Sequence, residues 1–375
     1  MFLKAVFWGS LGALAWTHAG YPAATAVLAR VRPRRPRKAD VEPSVSLIVA
    51  AHNEETVIRQ KLENLLALDY PRQRLEILVA SDSSTDGTDA IVEEVASQEP
   101  RVRLLRCPRA GKVAAQDRAV PETSGEIVAF SDANSIWSPD ALRKLLRSFA
   151  DPDVAYVCGR LALQESNGAN REGMYWRYEL WLREQESLLG SITAGNGAIY
   201  AVRRSDYISE NGRFGHDLGF PYQMVQRGRR AVYDPDAVAV EPPASEPEDE
   251  FGRKVRIHAR VWGHIVTGRI LKPTDPLYMA QLASHRLLRY SSGLLHLALL
   301  GSSIALVSRG PVYRAVLAAQ LGFLGLAAAG RMRLKIPGAS LAYYYVLVTA
   351  ATMLGLKRYM RSGTPVMWDK AKGTR

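Results

Sequence analysis

Cysteine is scarce in this chain: Cys107 and Cys158 are its only two in 375 residues. Two thiols make no disulfide framework, and inside a cell they serve as small packing residues. The seven histidines show no zinc-ligand spacing, and no segment recurs at a fixed period, so zinc-stapled and solenoid architectures are excluded. Formal charge is missing from Ala5 to Ala29, a run of 25 residues, and a helix needs about 20 to cross the hydrocarbon of a bilayer. A signal peptide fits this run less well, because it outlasts a typical apolar region and no A-x-A site ends it.

Three more charge-free runs lie near the other end: Tyr290 to Ser308, Ala315 to Gly330 and Ile336 to Leu356. The first and third are long enough to span, and the second, at 16 residues, is marginal. Between them stand Arg309, Arg314, Arg331, Arg333 and Lys335, with hardly a carboxylate. Core helices of a soluble domain therefore fit less well than a membrane segment.

The net charge of +12 suggests nucleic acid until its position is considered. Residues 30–38 and 357–375 together hold 11 of those 12 charges. Basic residues flanking apolar spans mark the cytoplasmic side and meet anionic lipid, so membrane lipids are expected as partners and nucleic acid is not. Four complete spans would carry the basic tail outside, against that rule. One apolar segment is accordingly expected to be interfacial or re-entrant.

Between about Ser44 and Ile270 strand and helix patterns alternate. "VSLIVAA", "LEILVAS", "RVRLL" and "EIVAFSD" read as strands, separated by segments of helical spacing. That order predicts an α/β fold with a mostly parallel, Rossmann-like sheet covered on both faces. Ligands of such sheets bind beyond the carboxyl ends of the strands. There the sequence places "AAHNEE", "ASDSSTDGT" and "FSDANS", gathering Asn53, Glu54, Asp82 and Asp132 along one edge. A single acid after a strand is ordinary turn or capping chemistry. Three successive strand ends bearing acids favour a shared site.

"VSLIVAAHNEE", "LVASDSSTDGT", "GKVAAQDRAV" and "FSDANSIWSPDAL" together resemble glycosyltransferase family 2, in particular its membrane-bound branch. The resemblance runs from about residue 44 to 270 and implies the nucleotide-sugar-binding GT-A fold. It implies that Asp82 contacts the uracil of a UDP-sugar, with Ala51, Asn53 and Glu54 lining the same pocket. Asp132 matches the first position of the family's metal-binding D-x-D and Asn134 the second, where a carbonyl ligand remains but the charge is lost. The implied cofactor is a divalent cation, Mg²⁺ or Mn²⁺, which balances the leaving diphosphate. Lys112 matches a family lysine near the nucleotide, suited to the phosphates.

On the acceptor side, Gly195, Asn196 and Gly197 would let the backbone approach a ligand closely, and a plain turn explains them equally well on local grounds. The resemblance tips them toward the acceptor. In "RFGHDLGF", His216 replaces the first acid of the family's pair and Asp217 keeps the second, the implied catalytic base of an inverting transfer. A helix N-cap is the competing role for Asp217. In "FGRKVRIHARVW", Arg256 matches the arginine of the polysaccharide synthases' Q-x-x-R-W, which holds the diphosphate. Ile257 takes the Trp position, with Trp262 one turn on as a partial substitute on the acceptor side. Arg260 and Arg269 also suit a basic amphipathic helix on a membrane surface.

The expected organisation is therefore an N-terminal transmembrane helix (1–30), a basic linker (31–43), a GT-A domain (44–270), C-terminal membrane or interfacial helices (271–356) and a basic tail (357–375). The expected function is inverting transfer from a nucleoside diphosphate sugar, UDP-linked, to a lipid-linked or saccharide acceptor. The chain is expected in the cytoplasmic membrane, multi-pass, with its catalytic domain facing the cytosol. The alternatives are a processive polysaccharide synthase, and a non-catalytic membrane protein with a degenerate GT-A domain.

Overall fold

Among the described residues, eight strands join in one sheet: β1 (Val45–Ala51), β2 (Leu75–Asp82), β3 (Val102–Cys107), β4 (Ile127–Asp132), β5 (Ile136–Trp137), β6 (Val154–Leu163), β7 (Ile199–Arg203) and β8 (Arg230–Glu241). The computed structural model describes residues 1–163, 171–210, 214–242, 247–272 and 274–364. The strand order is β3-β2-β1-β4-β7-β6-β8-β5. β1 pairs in parallel with β2 on one side and β4 on the other, and β2 with β3. All seven positions of β1 are buried, which is why it reads as an unbroken apolar run rather than an alternation.

The expected parallel order holds for this half of the sheet. The other half is mixed: β7 runs antiparallel to β4 and β6, and β5 antiparallel to β8, while β6 and β8 are parallel. Alternate strand residues feed two cores, as the two-residue period requires. Leu47 and Val49 join Leu62 and Leu145 on one face. Ile48 and Phe130 join Ala119, Phe220 and Met224 on the other. Cys107 and Cys158 are buried free thiols, as expected.

The apolar ends differ from their expected lengths. Tyr290 to Ser308 yields only the 14-residue helix Ser292–Ala305, because a π-helical turn (Leu282–Leu288) precedes it and a 3-10 turn (Val307–Arg309) follows. The run expected to be marginal extends through its flanking arginines into the 21-residue helix Pro311–Arg331. That helix and Ala339–Ser362 are the two, among the described residues, long and apolar enough to cross a membrane. At the N-terminus, Phe2–Ala15, Trp16–Gly20 and Tyr21–Val31 follow one another with right-handed helical backbone at their junctions.

These helices are tied to the helix Arg171–Leu188 and the segment after it through buried polar contacts. Tyr21 donates to Glu186 Oε1 at 2.5 Å, and His285 Nδ1 lies 2.6 Å from the same oxygen. Arg286 Nε donates to Thr193 Oγ1 at 2.9 Å. The helix Pro247–Val266 packs on Ala339–Ser362 so closely that a Cβ at Gly355 would stand 2.7 Å from that of His258.

The basic linker does not stand apart from the domain. Arg37 Nε donates to the Ala150 carbonyl at 3.0 Å, and Lys38 pairs with fully buried Asp234 at 2.9 Å. Arg147 grips the same carboxylate with both arms, at 2.7 and 2.6 Å. Removing a buried carboxylate leaves its cations uncompensated. Asp234→Ala is therefore expected to cost roughly 3 kcal/mol of stability, checked by urea unfolding. Arg30, Arg32 and Arg35 remain exposed, whereas Asp369 and residues 365–375 of the basic tail lie outside the described residues.

Candidate active site

The tips of β2, β4 and β8 and the turn before β7 meet at one edge. Asp82, last in β2, is 1% exposed. Its Oδ1 accepts from the backbone N–H groups of Ala110 (2.7 Å) and Gly111 (3.0 Å), and its Oδ2 pairs with the Arg109 guanidinium. Gly111 has φ 94°, a conformation glycine adopts without steric cost, so both amides can turn toward the carboxylate. Arg109 went unnoticed in the sequence.

Asn53 and Glu54 act on their own loops. Asn53 has φ 56°, and its Oδ1 accepts from the Thr85 amide at 2.7 Å, joining the turns after β1 and β2. Glu54 is wholly buried, with its amide on Thr88 Oγ1 at 2.7 Å, and so lines no open pocket, contrary to expectation. Ala51 is buried opposite Ser81.

Asp132 ends β4 with its side chain 26% exposed and carries the Lys112 ammonium. Lys112 also lies 3.5 Å from the Gly197 carbonyl. A Cβ at Gly197 would stand 2.8 Å from Lys112 Nζ and 3.5 Å from Asp132 Oδ2. Gly197 therefore belongs as much to this carboxylate as to the acceptor side. Asn196 is spent on the fold: Nδ2 donates to the Gly159 carbonyl at 2.7 Å, and Oδ1 accepts from the Ala198 and Ile199 amides at 3.0 Å each. Gly195 donates to the Asp217 carbonyl at 2.6 Å, joining this turn to the next helix.

Asp217 is exposed in the first turn of the helix His216–Gln226, whose N-cap is Gly215. The N-cap position is thus held by a glycine, which has no side chain to cap with, and Asp217 stands exposed inside the first turn. Beside it, His216 is buried, 2.8 Å from the Tyr200 hydroxyl and 3.5 Å from Asp117. Burial lowers its pKa, with Asp117 opposing.

Arg253, Arg256 and Arg260 share one face of the helix Pro247–Val266 by their spacing of three and four. Arg253 acts electrostatically on Glu241 and Arg260 on Asp217, which lays this basic face across the site. Trp262 does not join it. That ring is buried against the helix Ala339–Ser362, and its Nε1 donates to the Thr352 carbonyl at 2.9 Å. Arg269 is likewise engaged within the protein: it pairs with buried Glu210 at 2.9 Å and covers the Phe214 ring.

Two groups beside Asp132, buried Lys61 and half-buried Glu241, escaped the sequence reading. Lys61 donates to Ser131 Oγ at 2.7 Å and the Ser135 carbonyl at 2.5 Å. Burial lowers its pKa to about 7, with Asp132 and Glu241 opposing. Glu241 ends β8, and its pKa is raised to about 7 by burial and then by Asp132. Glu241 obeys the rule that found the others, an acid ending an apolar strand, here "AVAVE".

Among the described residues no three His, Cys, Asp or Glu side chains converge on a metal position. Mg²⁺ and Mn²⁺ need no such cage: one or two carboxylates suffice when substrate phosphates complete the shell. Asp132 already attracts a cation, Lys112, and the partly exposed Asn134 lies two residues on. This donor set fits a divalent ion bound together with a diphosphate.

Residues 46–212 match the family described as glycosyl transferase family 2. The beta-monoglucosyldiacylglycerol synthase of a Nostoc species is 33% identical over 214 residues, covering 54% of this chain and 45% of that protein. The N-acetylglucosaminyltransferase of Azorhizobium caulinodans is 28% identical over 221 residues, covering 52% of this chain and 54% of that protein. The matched stretch thus spans about half the length of these relatives. In structure, the mannosyltransferase PcManGT from Pyrobaculum calidifontis, solved with GDP-Man and Mn²⁺, shares the fold. The TM-score is 0.70 at 23% identity, covering 94% of this chain and 99% of that one.

Proposed function

From a chain whose residues 46–212 carry the family 2 glycosyltransferase pattern on a GT-A fold, we propose an inverting transfer. A sugar passes from a nucleoside diphosphate, UDP by preference, to a lipid-linked or saccharide acceptor at the cytoplasmic membrane face. The observation that carries this reading is the pairing, on one sheet edge, of a cation-holding carboxylate, Asp132, with an exposed carboxylate, Asp217.

Asp82 receives the N–H edge of the base, taking the place of Arg109. Lys112 turns from Asp132 to the donor phosphates, and Arg256 faces the same charge as a planar cation suited to phosphate oxygens. Asp132 and Asn134 would hold a divalent ion, which when bound would neutralise the charge of the leaving diphosphate. Asp217 takes the proton of the acceptor hydroxyl as its oxygen attacks the anomeric carbon; the bond from that carbon to the diphosphate oxygen breaks, and the electron pair leaves with the diphosphate. Gly195 lets Tyr156 pack against the turn and Gly197 lets Lys112 reach Asp132, which holds the acceptor-side turn close to both carboxylates. The two long apolar helices and the exposed arginines after the N-terminal helix support a membrane-bound, multi-pass placement with this edge in the cytosol. The buried position of Trp262 removes the aromatic platform a processive synthase would use.

Thermal shift with nucleoside diphosphates tests the donor. At 100 times its dissociation constant a ligand contributes about 2.7 kcal/mol. UDP with Mn²⁺ is expected to raise the melting temperature by roughly 3–4 °C. No shift with any nucleoside diphosphate would refute the donor reading.

A further inference from the structure

Asn134 withdraws one negative charge from the place where a divalent cation is expected, and the fold brings another to the same edge. β5 pairs with β8 through Ile136↔Val240 and Trp137↔Ala239, so the next step of this antiparallel ladder sets Glu241 opposite Ser135. Ser135 is one residue beyond Asn134, and its amide and hydroxyl both donate to the Asp132 carbonyl, at 3.3 and 3.0 Å. The β8 tip is thereby fixed beside the turn that carries Asp132 and Asn134.

One oxygen of Glu241, Oε1, is sealed from solvent and left without a hydrogen bond among the described residues. Lys61, the buried cation beneath the turn, spends its ammonium on Ser131 and Ser135. A sealed carboxylate oxygen without a donor is costly, and a bound ion is one of the few arrangements that accounts for it.

We propose that Glu241 is a ligand of the divalent cation, supplying from β8 the second carboxylate that Asn134 lacks. Hard divalent ions bound with a diphosphate are held through one or two carboxylates, and Asp132 with Glu241 makes two. This inference rests on the nucleoside diphosphate reading of the site.

The test measures Mn²⁺ directly, from the electron paramagnetic resonance signal of the free ion, in full-length detergent-solubilised protein with saturating UDP. Glu241→Gln keeps the side chain's shape and is expected to weaken Mn²⁺ binding by at least about 10-fold, the lower bound for disturbing even an outer-shell partner. Adding Asn134→Asp to that variant is expected to restore it, since the lost carboxylate returns on the other side of the ion. Glu241→Asp, which keeps the charge on a shorter arm, is expected to fall between wild type and Glu241→Gln and serves if the amide variant fails to fold. Wild-type Mn²⁺ affinity in whichever variant folds would overturn the assignment. Failure of the wild-type protein itself to hold Mn²⁺ with UDP would overturn the donor reading beneath it, a result distinct from the first.

Discussion

Asp217→Asn is expected to lower transfer turnover by about 10²–10⁴-fold, the usual contribution of a general base, while nucleotide affinity stays within a few-fold. The amide keeps the shape of the carboxylate but cannot take a proton from a hydroxyl. The structure makes this substitution a clean probe. Asp217 is exposed and stands inside the first helical turn, with Gly215 at the N-cap, so no capping hydrogen bond is lost with the charge. What stability changes is the attraction of an anion to a helix N-terminus, about 0.3–1 kcal/mol at the surface. Turnover and UDP affinity should be measured on the same folded sample. Wild-type turnover would eliminate Asp217 as the base.

Asp132→Ala should weaken the metal-dependent part of nucleoside diphosphate binding by more than about 100-fold, beyond the range typical of outer-shell changes. Calorimetry with UDP, with and without Mn²⁺, separates that part from the rest. Folding is expected to survive. The lost ion pair with Lys112 is partly exposed on both sides, 20% and 26%, and pairs of that kind contribute little net stability. Lys112 is moreover set free to meet the phosphates, so the metal-independent affinity should hold or rise slightly. Unchanged metal-dependent binding would remove Asp132 from the ion.

The edge of the sheet was legible from the sequence because it rests on two strong signals. Short apolar runs such as Ile127 to Phe130, ended by a turn signal, suit strands buried on both faces, and Asp132 at their end breaks the pattern where a ligand would lie. What escaped depends on partners far apart in the chain. Asn196 looked available in "AGNGA", yet its amide is consumed by Gly159, 37 residues away. Trp262 stood about one turn beyond Ile257, but an aromatic on an amphipathic helix faces whichever neighbour packs there, and that neighbour is Ala339–Ser362. Lys61 lies on the helix Ile58–Leu66, and only its contacts with Ser131 of β4 and the turn after it reveal the lysine as buried. Helix ends were misjudged for a simpler reason: a charge-free run bounds where lipid can be, not where backbone hydrogen bonds stop. Pro311–Arg331 accordingly outlasts its apolar stretch, and Tyr290 to Ser308 falls short.

The Asp82 carboxylate is already fully engaged by Arg109 and two amides. On the proposed donor reading, a base bound at Asp82 would displace Arg109 rather than add to it, and the gain in affinity would be the difference between two contacts of similar strength. Arg109 is thus a competitor carried within the chain, present at a local concentration no free solute reaches. Discrimination among bases then follows from how well each repays the release of that arm. A base offering one well-placed N–H donor succeeds, and one presenting a lone pair is rejected by the anion it uncovers.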